Sequence, residues 1–352
     1  MELLIVGGTP SHRGGVETFC ERARAALTSI GHHQVEWLPT HTAFAKRQTL
    51  PAVFRSLIHL LKMRRRWSSM WLQYVNFPDL LFLIVGKLCG YHIVVTPHLG
   101  VNWRSQSSGT LRAISIGMLR FADRIALISP TQEQELQFPP SVPKCHIRTF
   151  LPGGIGKTEK QTFAKSSDGM MHLAHAGRLS SGKGTFLFLE VCAELNRAGR
   201  PFNAYLAGAA DPSTKQQIDF FISENNLQSK IHVLGPLTED ALLVHLSKMD
   251  VLVHLSIIDS FPLIVLESIG CAVFPICKDL PGARYMVERY CGHVVGQNAV
   301  AETADFLLRA DINEIRSAAL DAAPRLGHYY QWQACVKALE AAMLSQPNSA
   351  EH

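Results

Sequence analysis

Short apolar runs alternate with helical patterns along most of the 352-residue chain. Each run is bounded by polar or glycine-rich residues and predicts a buried strand, while the stretches between runs carry apolar residues at helical spacing. Strands that alternate with helices are typical of parallel βαβ units. The pattern predicts strands at 3–6, 35–38, 70–74, 92–96 and 124–128, and at 172–176, 203–207, 230–234, 251–255 and 273–276.

These two sets of strands predict an α/β protein with two doubly wound domains. The length exceeds that of one typical domain, and two such domains would face each other across a cleft at the carboxyl ends of their strands. The expected organisation is a first domain at 1–152, a Gly-, Lys- and Ser-rich linker at 153–169, a second domain at 170–325, a helix at 326–345 and a disordered polar tail at 346–352.

Charge is divided unevenly between the two halves. Residues 1–150 contain 17 Lys and Arg against 8 Asp and Glu, a net charge of +9, whereas residues 151–352 contain 17 against 21, a net charge of −4. We therefore expect the first half to face an anionic partner. No nucleic-acid module and no alternation of arginine with aromatic residues is present, so nucleic acid is not the expected partner.

One basic segment, 52–67, combines cations with apolar residues at helical spacing. Two interpretations of it remain open: a helix on an anionic membrane surface, or an amphipathic helix packed on its own domain. The apolar stripe would contain Val53, Leu57, Leu60, Leu61 and Trp67, flanked by Arg55, Lys62, Arg64, Arg65 and Arg66.

Other features predict a cytoplasmic protein, attached at most peripherally to the inner face of the cell membrane. The longest apolar stretch is far short of the ~20 residues that span a bilayer. The first residues lack a basic leader and a cleavage site, which predicts a strand rather than a signal peptide. The eight cysteines are scattered, without Cys-x-x-Cys pairs or zinc-ligand spacing, and are expected to be reduced core residues.

The stretch from Asp259 to Glu267 places two carboxylates around a predicted helix start. Ser260 suits an N-cap and Pro262 suits the first turn, so the helix is expected to begin close to Phe261. Its free N–H groups and the positive end of its dipole would hold a diphosphate, and Glu267 could bind ribose hydroxyls. An ordinary strand-loop-helix unit with an incidental glutamate would give the same pattern.

A glycine-rich loop, from Gly177 to Gly184, follows the predicted strand at 172–176. It contains two cations, Arg178 and Lys183. The loop fails the Walker pattern, because Gly184 stands where Ser or Thr would bind magnesium. Arg178 and Lys183 are therefore interpreted as neutralising a diphosphate without a metal. Two solvated surface cations are the alternative.

Three weaker features follow other predicted strands. The paired glycines Gly14 and Gly15 offer flexible backbone N–H donors at the first strand-helix turn. His98 follows the strand at 92–96, and Gly235 follows the strand at 230–234, where its backbone could lie against a base. A plain turn and a structural histidine are the alternatives.

Taken in order, these residues resemble the retaining glycosyltransferases of family 4, which have the GT-B fold. The resemblance implies two Rossmann-like domains that close on a nucleotide-diphospho-sugar of UDP or GDP type. It implies an N-terminal acceptor domain, a C-terminal donor domain and a final helix that crosses back to the first domain. It also implies a saccharide or polyprenyl-linked acceptor in surface polysaccharide or glycolipid synthesis, with no cofactor and no metal.

The resemblance also implies roles for individual residues. Arg178 and Lys183 would bind the donor diphosphate, and His98 would lie beside the transferred sugar. Asp259 would contact the sugar hydroxyls. The implied donor-binding residues are Gly14, Gly15, Gly177, Gly235, Ser260, Phe261, Pro262, Leu263, Ile264 and Glu267.

The sequence departs from the family pattern at two positions. Asp259 stands where the family usually has Glu, and Pro262 where it often has Gly. Asp259 keeps the charge but is one methylene shorter. These departures keep a non-catalytic nucleotide-sugar-binding protein open as an alternative. A nucleotide-sugar epimerase is a second alternative, because it shares the same two-domain architecture. A dehydrogenase is disfavoured, because neither half contains the dinucleotide glycine fingerprint.

Overall fold

A computed structural model describes residues 1–9, 14–42, 49–99, 107–153, 155, 165–166 and 168–344. The chain divides into two compact units, one formed by Met1–Leu151 with Tyr330–His352 and the other by Pro152–Tyr329. Each unit contains a six-stranded parallel sheet, which confirms the predicted doubly wound α/β class. The predicted tail at 346–352, most of the predicted linker at 153–169 and residues 10–13 of the first glycine loop lie outside the described residues.

The first unit has the strand order β2-β1-β3-β4-β5-β6. All five strands predicted for it are present, within one residue at each end. The short β6 was missed because its Lys-Cys-His sequence is not apolar and two of its three residues are exposed. The elements are β1 (Glu2–Val6), α1 (Gly15–Ser29), β2 (Gln34–Leu38), α2 (Leu50–Met63), β3 (Ser69–Tyr74), α3 (Asp79–Leu88), β4 (His92–Pro97), α4 (Gly109–Leu119), β5 (Arg124–Leu127), α5 (Gln132–Glu135) and β6 (Lys144–His146).

The second unit has the order β12-β11-β10-β7-β8-β9, which is the strand order of dinucleotide-binding sheets. Its five predicted strands are present, and the short, half-buried β12 was missed. The elements are β7 (Met171–Ala176), α6 (Thr185–Arg197), β8 (Phe202–Ala207), α7 (Pro212–Glu224), β9 (Ile231–Gly235), α8 (Glu239–Leu246), β10 (Val251–His254), α9 (Leu263–Gly270), β11 (Phe274–Lys278), α10 (Pro281–Arg289), β12 (His293–Val295), α11 (Ala299–Arg309) and α12 (Ile312–Tyr329).

The central strands are buried along their whole length. In β1, the side chains of residues 3–6 are fully buried, and all six residues of β7 are buried. A parallel sheet covered by helices on both faces needs this continuous apolar pattern rather than an alternating one. The continuity explains why these strands were visible in the sequence as uninterrupted apolar runs.

A last helix, α13 (Trp332–Leu344), belongs to the first unit. The boundary lies at Tyr330 rather than at residue 326, because side chains on either side of it have different partners. The Arg289 guanidinium lies 4.0 Å from the ring centre of Tyr329 within the second unit. Trp332 donates its indole N–H to the carbonyl of Leu151 in the first unit, at 2.7 Å.

The predicted stripe on the segment 52–67 is only partly correct. Val53, Leu60 and Trp67 are buried in the core of the first unit, as the packed-helix interpretation expects. Leu61 is 52% exposed and belongs to the opposite side of α2. Among the described helices, none has the length and apolar character to span a membrane.

A buried ion pair joins the start of β7 to α12. The Asp250 side chain is fully buried, accepts the His172 backbone N–H at 2.8 Å and accepts Arg316 Nε at 2.7 Å. Arg316 also donates to the carbonyl of Ser166, at 2.8 Å. The Asp250–Arg316 pair therefore connects the sheet edge, the helix and the segment that precedes the second unit's first strand.

We expect Asp250→Ala to lower the free energy of unfolding by about 3 kcal/mol, because it leaves the partly buried guanidinium of Arg316 without a compensating carboxylate. Urea unfolding followed by circular dichroism measures this loss. A matched control is Asp305→Ala, which removes the exposed Asp305–Arg309 pair on α11 and should cost about 0.5 kcal/mol or less. Equal losses of unfolding free energy in the two variants would contradict a larger stabilising role for the buried Asp250–Arg316 pair.

Candidate functional site

The strand order of the second unit places a topological switch point between β7 and β10. From β7 the chain proceeds to β8 and β9 on one side, whereas β10, β11 and β12 lie on the other. Open parallel sheets bind ligands outside the carboxyl ends of the strands at such a point. The two loops that leave this point are 177–184 and 255–262, and they contain half of the predicted site residues.

The loop after β7 is anchored by a buried histidine. His175 donates Nδ1–H to the carbonyl of Val253 at 3.1 Å, and its Nε2 accepts the hydroxyl of Thr185 at 3.1 Å. The Thr185 oxygen also accepts the backbone N–H of Ser180, at 2.9 Å. A carbonyl can only accept, so Nδ1 carries a proton, and in the neutral ring Nε2 is left to accept the hydroxyl. Burial lowers the pKa of His175 to about 4, which keeps the ring neutral near pH 7.

Two glycines let the backbones of this site approach each other closely. Gly184 has φ of +79°, and a Cβ there would lie 2.4 Å from the carbonyl oxygen of Leu255. Gly208 has φ of +151°, and a Cβ there would lie 1.7 Å from the carbonyl oxygen of Gly177. Both positions exclude a side chain by conformation and by space. Gly184 therefore stands in place of a hydroxyl residue because the fold admits no larger one.

The loops after β7 and β10 are hydrogen-bonded to each other. The carbonyl of Gly182 accepts the backbone N–H of Ile257 at 3.1 Å and the hydroxyl of Ser256 at 3.2 Å. The Ser256 side chain is buried, so this contact is shielded from water. The two loops consequently form one rigid edge of the site.

A charged cluster closes the same edge. The Lys183 ammonium bonds to Oδ1 of Asp259, and His254 Nε2 lies 2.9 Å from Oδ2. The side chains of Lys183, Asp259 and His254 are 24%, 16% and 5% exposed. Burial raises the pKa of Asp259, but the hydrogen bond and charge of His254 and the charge of Lys183 outweigh burial and hold that pKa well below its usual range. Asp259 is therefore ionised at neutral pH and compensates the lysine.

Helix α9 begins later than the sequence predicts. Ser260 is not its N-cap: the cap residue is Pro262, with φ of −72° and ψ of 103°, and the helix starts at Leu263. The ring of a proline disfavours helical backbone at the residue before it, here Phe261, so the chain stays extended until the proline is passed. The first N–H groups of a helix have no acceptor within it, and in α9 these include the N–H groups of Leu263 and Ile264.

The remaining predicted residues of the second unit occupy three different settings. Arg178 lies on an exposed part of the loop after β7. Glu267 is in α9 and is buried, with 6% of its surface exposed. Gly235 ends β9 with φ of +71°, and its carbonyl accepts the N–H of Gly208 at 2.8 Å. The structure thus brings Lys183 and Asp259 into contact.

The first unit contains the other predicted residues. His98 Nε2 lies 2.9 Å from Oε1 of Gln73, and its ring packs edge-on against Phe19 at 5.0 Å between centres. Burial lowers the pKa of His98 to about 4. Gly14 is the N-cap of α1, and Gly15 is its first residue, with open space around its Cα.

Sequence reasoning missed the residues that support the site. His175, Thr185, His254 and Ser256 carry no motif, and only one sequence signal could have found them. Two of them are histidines inside otherwise apolar strands, where a polar side chain must find a hydrogen-bond partner.

A cavity of about 340 Å³ lies at the opposite edge of the same sheet. It is near the amino ends of β7 and β10, away from the switch-point loops, so its position does not suit the ligand site of this fold. It is lined by Ser166, His172, Tyr205, His245, Lys248 and Met249.

The lowered pKa of His175 has a consequence for stability. The pKa of this ring is about 6.5 in the unfolded chain and about 4 in the folded protein. The contribution of the neutral ring to the free energy of unfolding is therefore fully present above pH 6.5 and is lost as the pH falls towards 4. At about pH 5 this histidine should account for a loss of about 2 kcal/mol relative to about pH 7.5.

We expect His175→Gln to reduce that pH dependence by about the same amount, as measured by urea unfolding at both pH values. His59→Gln, which replaces an exposed histidine, is the control and should leave the dependence unchanged. A His175→Gln variant that followed the pH dependence of the unaltered protein would show that the buried ring does not titrate as described.

Comparison with known proteins agrees with this architecture. Residues 157–323 match the family model "Glycosyl transferases group 1". A comparison with curated protein sequences gives no match.

Solved structures match over nearly the whole chain. Anabaena Alr3699/HepE in complex with UDP and glucose is 16% identical, with a TM-score of 0.72 over 96% of this chain and 98% of that one; HepE is also solved with UDP-glucose. Sucrose-phosphate synthase from Thermosynechococcus elongatus is 16% identical, with a TM-score of 0.73 over 96% and 97%. The lipopolysaccharide outer core galactosyltransferase WaaB is 13% identical, with a TM-score of 0.67 over 99% and 100%. The family match and the shared GT-B fold together support a glycosyltransferase of group 1.

Proposed function

We propose that this protein moves a hexose from a UDP-type nucleotide-diphospho-sugar to a saccharide or polyprenyl-linked acceptor, with retention of the anomeric configuration and without a metal ion. The observation that carries the proposal is the contact of Lys183 with Asp259 in the switch-point loops, followed by the start of α9. HepE, which shares the fold, binds UDP and UDP-glucose, and this supports a UDP-type donor here.

The reaction makes one demand that these groups meet. The acceptor oxygen bonds to the anomeric carbon while the bond from that carbon to the β-phosphate oxygen breaks and leaves its electron pair on the phosphate. The acceptor hydroxyl proton passes to the departing phosphate on the same face of the sugar. Negative charge therefore builds on the diphosphate, where a fixed cation such as Lys183 and the N–H groups of α9 stabilise it.

The ion pair with Asp259 gives Lys183 two alternative partners. Without a donor, the carboxylate compensates the ammonium and holds it at the loop edge. A bound diphosphate brings its own negative charge to Lys183, which releases Asp259 to accept hydrogen bonds from sugar hydroxyls. Arg178, on the exposed part of the same loop, adds a second cation for the phosphates.

The resemblance to family 4 supports a role in surface polysaccharide or glycolipid synthesis at the cytoplasmic face of the membrane. The net charge of +9 on residues 1–150 agrees with an anionic environment for the acceptor unit. By the same resemblance, we assign His98 to the transferred sugar and the glycine pair Gly14–Gly15 to the donor.

One observation favours a second candidate, a non-catalytic nucleotide-sugar-binding protein. Asp259 is shorter than the family glutamate and is already engaged by Lys183 and His254. A carboxylate held in this way could fail to reach the sugar. Donor binding without transfer, combined with activity in Asp259→Glu, would favour this candidate over the transferase.

We expect Lys183→Ala to weaken UDP binding about 30-fold, because a charge-assisted contact of about 2 kcal/mol is lost. Calorimetric titration with UDP, GDP, ADP and CDP and their sugar conjugates identifies the donor and measures the loss. Lys215→Ala, which removes an exposed cation on α7 of the same unit, is the control and should bind as the unaltered protein does. Unchanged UDP affinity in Lys183→Ala would refute the diphosphate role.

Asp259→Asn should separate binding from transfer. Removing the competing carboxylate should tighten UDP binding about fivefold, whereas transfer of the sugar should fall about tenfold or more because the hydroxyl contact is lost. Titration with UDP and an assay of donor turnover measure the two effects. Asp219→Asn, an exposed change on α7, serves as the control. Parallel loss of UDP binding and transfer would contradict the competition between Asp259 and the diphosphate.

A further inference from the structure

Helix α2 has apolar residues on two sides, and only one of these sides is packed in the core of the first unit. Val53, Leu60 and Met63 are buried in the core of the first unit. A second set of large apolar side chains points away from that core. This exposed stripe contains Leu50, Phe54, Ile58 and Leu61, which are 48%, 66%, 50% and 52% exposed.

The exposed stripe is continuous along the helix. Its members are spaced by four, four and three residues, which places them within an arc of roughly 80° over about three turns. Isolated exposed apolar residues are normal on a protein surface, but a continuous set marks an interaction surface. Helix α3 packs beside α2 and has two exposed leucines of its own, Leu81 at 46% and Leu88 at 83%.

Cations line one edge of the exposed stripe. Arg55 and Lys62 are exposed and lie, by helical spacing, on the side of the stripe away from the core, and Arg65 is exposed just beyond the helix end. Arg64 has a different role, because its guanidinium donates to the carbonyls of Cys89 and Gly90 at 2.7 and 3.3 Å. Arg66 is also exposed, and its guanidinium lies over the ring of Trp67, 5.3 Å from the ring centre. Arg55 donates its Nε–H to the carbonyl of Pro51 at 3.3 Å but stays exposed, so Arg55, Lys62 and Arg65 are the cations at the edge of the stripe.

The surrounding sequence contains no acidic residue. Between Glu36 and Asp79 there are seven Lys and Arg and no Asp or Glu. This composition argues against a second copy of the chain as the partner, because a symmetric contact would bring the same cations together. An apolar stripe with a basic edge instead matches the boundary between acyl chains and anionic headgroups.

We propose that α2 lies on an anionic lipid surface, with Leu50, Phe54, Ile58 and Leu61 among the acyl chains and with Arg55, Lys62 and Arg65 at the lipid phosphates. This deepens the proposed function, on which it rests only for the location of the acceptor: a lipid-linked acceptor lies in the same bilayer. Binding to lipid itself requires neither donor nor acceptor.

The test is cosedimentation of the whole chain with vesicles, without donor or acceptor. Vesicles of phosphatidylcholine mixed with phosphatidylglycerol should bind the protein. Vesicles of phosphatidylcholine alone should bind it at least about tenfold more weakly. Added salt should weaken binding to the anionic vesicles, because exposed charges are screened.

Two variants and two matched controls locate the contact. Phe54→Ser with Ile58→Ser should weaken binding to anionic vesicles about tenfold or more, whereas Phe220→Ser, which replaces a phenylalanine 67% exposed on α7, should not change it. Arg55→Glu with Lys62→Glu should weaken it by at least about 20-fold, because each cation removed costs about fivefold. Lys215→Glu on α7 should have little effect. Because all these side chains are exposed, thermal unfolding should confirm that every variant is folded.

Three results would overturn the proposal. The first is equal binding of the unaltered protein to both kinds of vesicle, and the second is unchanged binding of the Phe54/Ile58 variant. The third is a dimer in solution that this variant converts to a monomer while no vesicle binds, which would make a second copy the partner. UDP titration of the same samples without vesicles tests the proposed function separately, so the two can fail independently.

Discussion

The partly buried carboxylate of Asp259 is the group on which the arrangement of the site depends. An unpaired charge at this depth would cost several kcal/mol, so the fold has to supply partners. His254 supplies one from the end of β10, and Lys183 supplies the other from the loop after β7. One carboxylate thus joins the two loops of the switch point, and the Gly182 carbonyl reinforces the junction through backbone contact.

The histidines of the second unit explain how polar residues are tolerated inside a buried sheet. A parallel strand covered on both faces offers no water, so each polar atom must find a partner within the protein. His175 does so by binding a neighbouring strand and Thr185, and that contact in turn positions the Ser180 backbone. A residue with no direct chemical role therefore determines the shape of the glycine-rich loop.

Helix α2 shows the opposite case, in which apolar residues are not explained by the fold. Burial of Val53, Leu60 and Met63 is sufficient to pack the helix on its sheet. The exposed stripe contributes nothing to that core and increases the tendency to associate. Together with the absence of Asp and Glu from residues 37–78 of the sequence, it supports a partner that is apolar and anionic.

The sequence by itself determined the fold class and ten of the twelve strands, because a covered parallel sheet requires continuous apolar runs that are visible without any neighbour. The short strands β6 and β12 carry no such run, since only pairing with an adjacent strand makes them strands. Tertiary structure alone decided that Lys183 meets Asp259, 76 residues away, and that α9 begins after Pro262. It also decided that Leu60 is buried while Leu61 is exposed. Local pattern reports how apolar a position is, whereas partners depend on which distant segments the topology brings together.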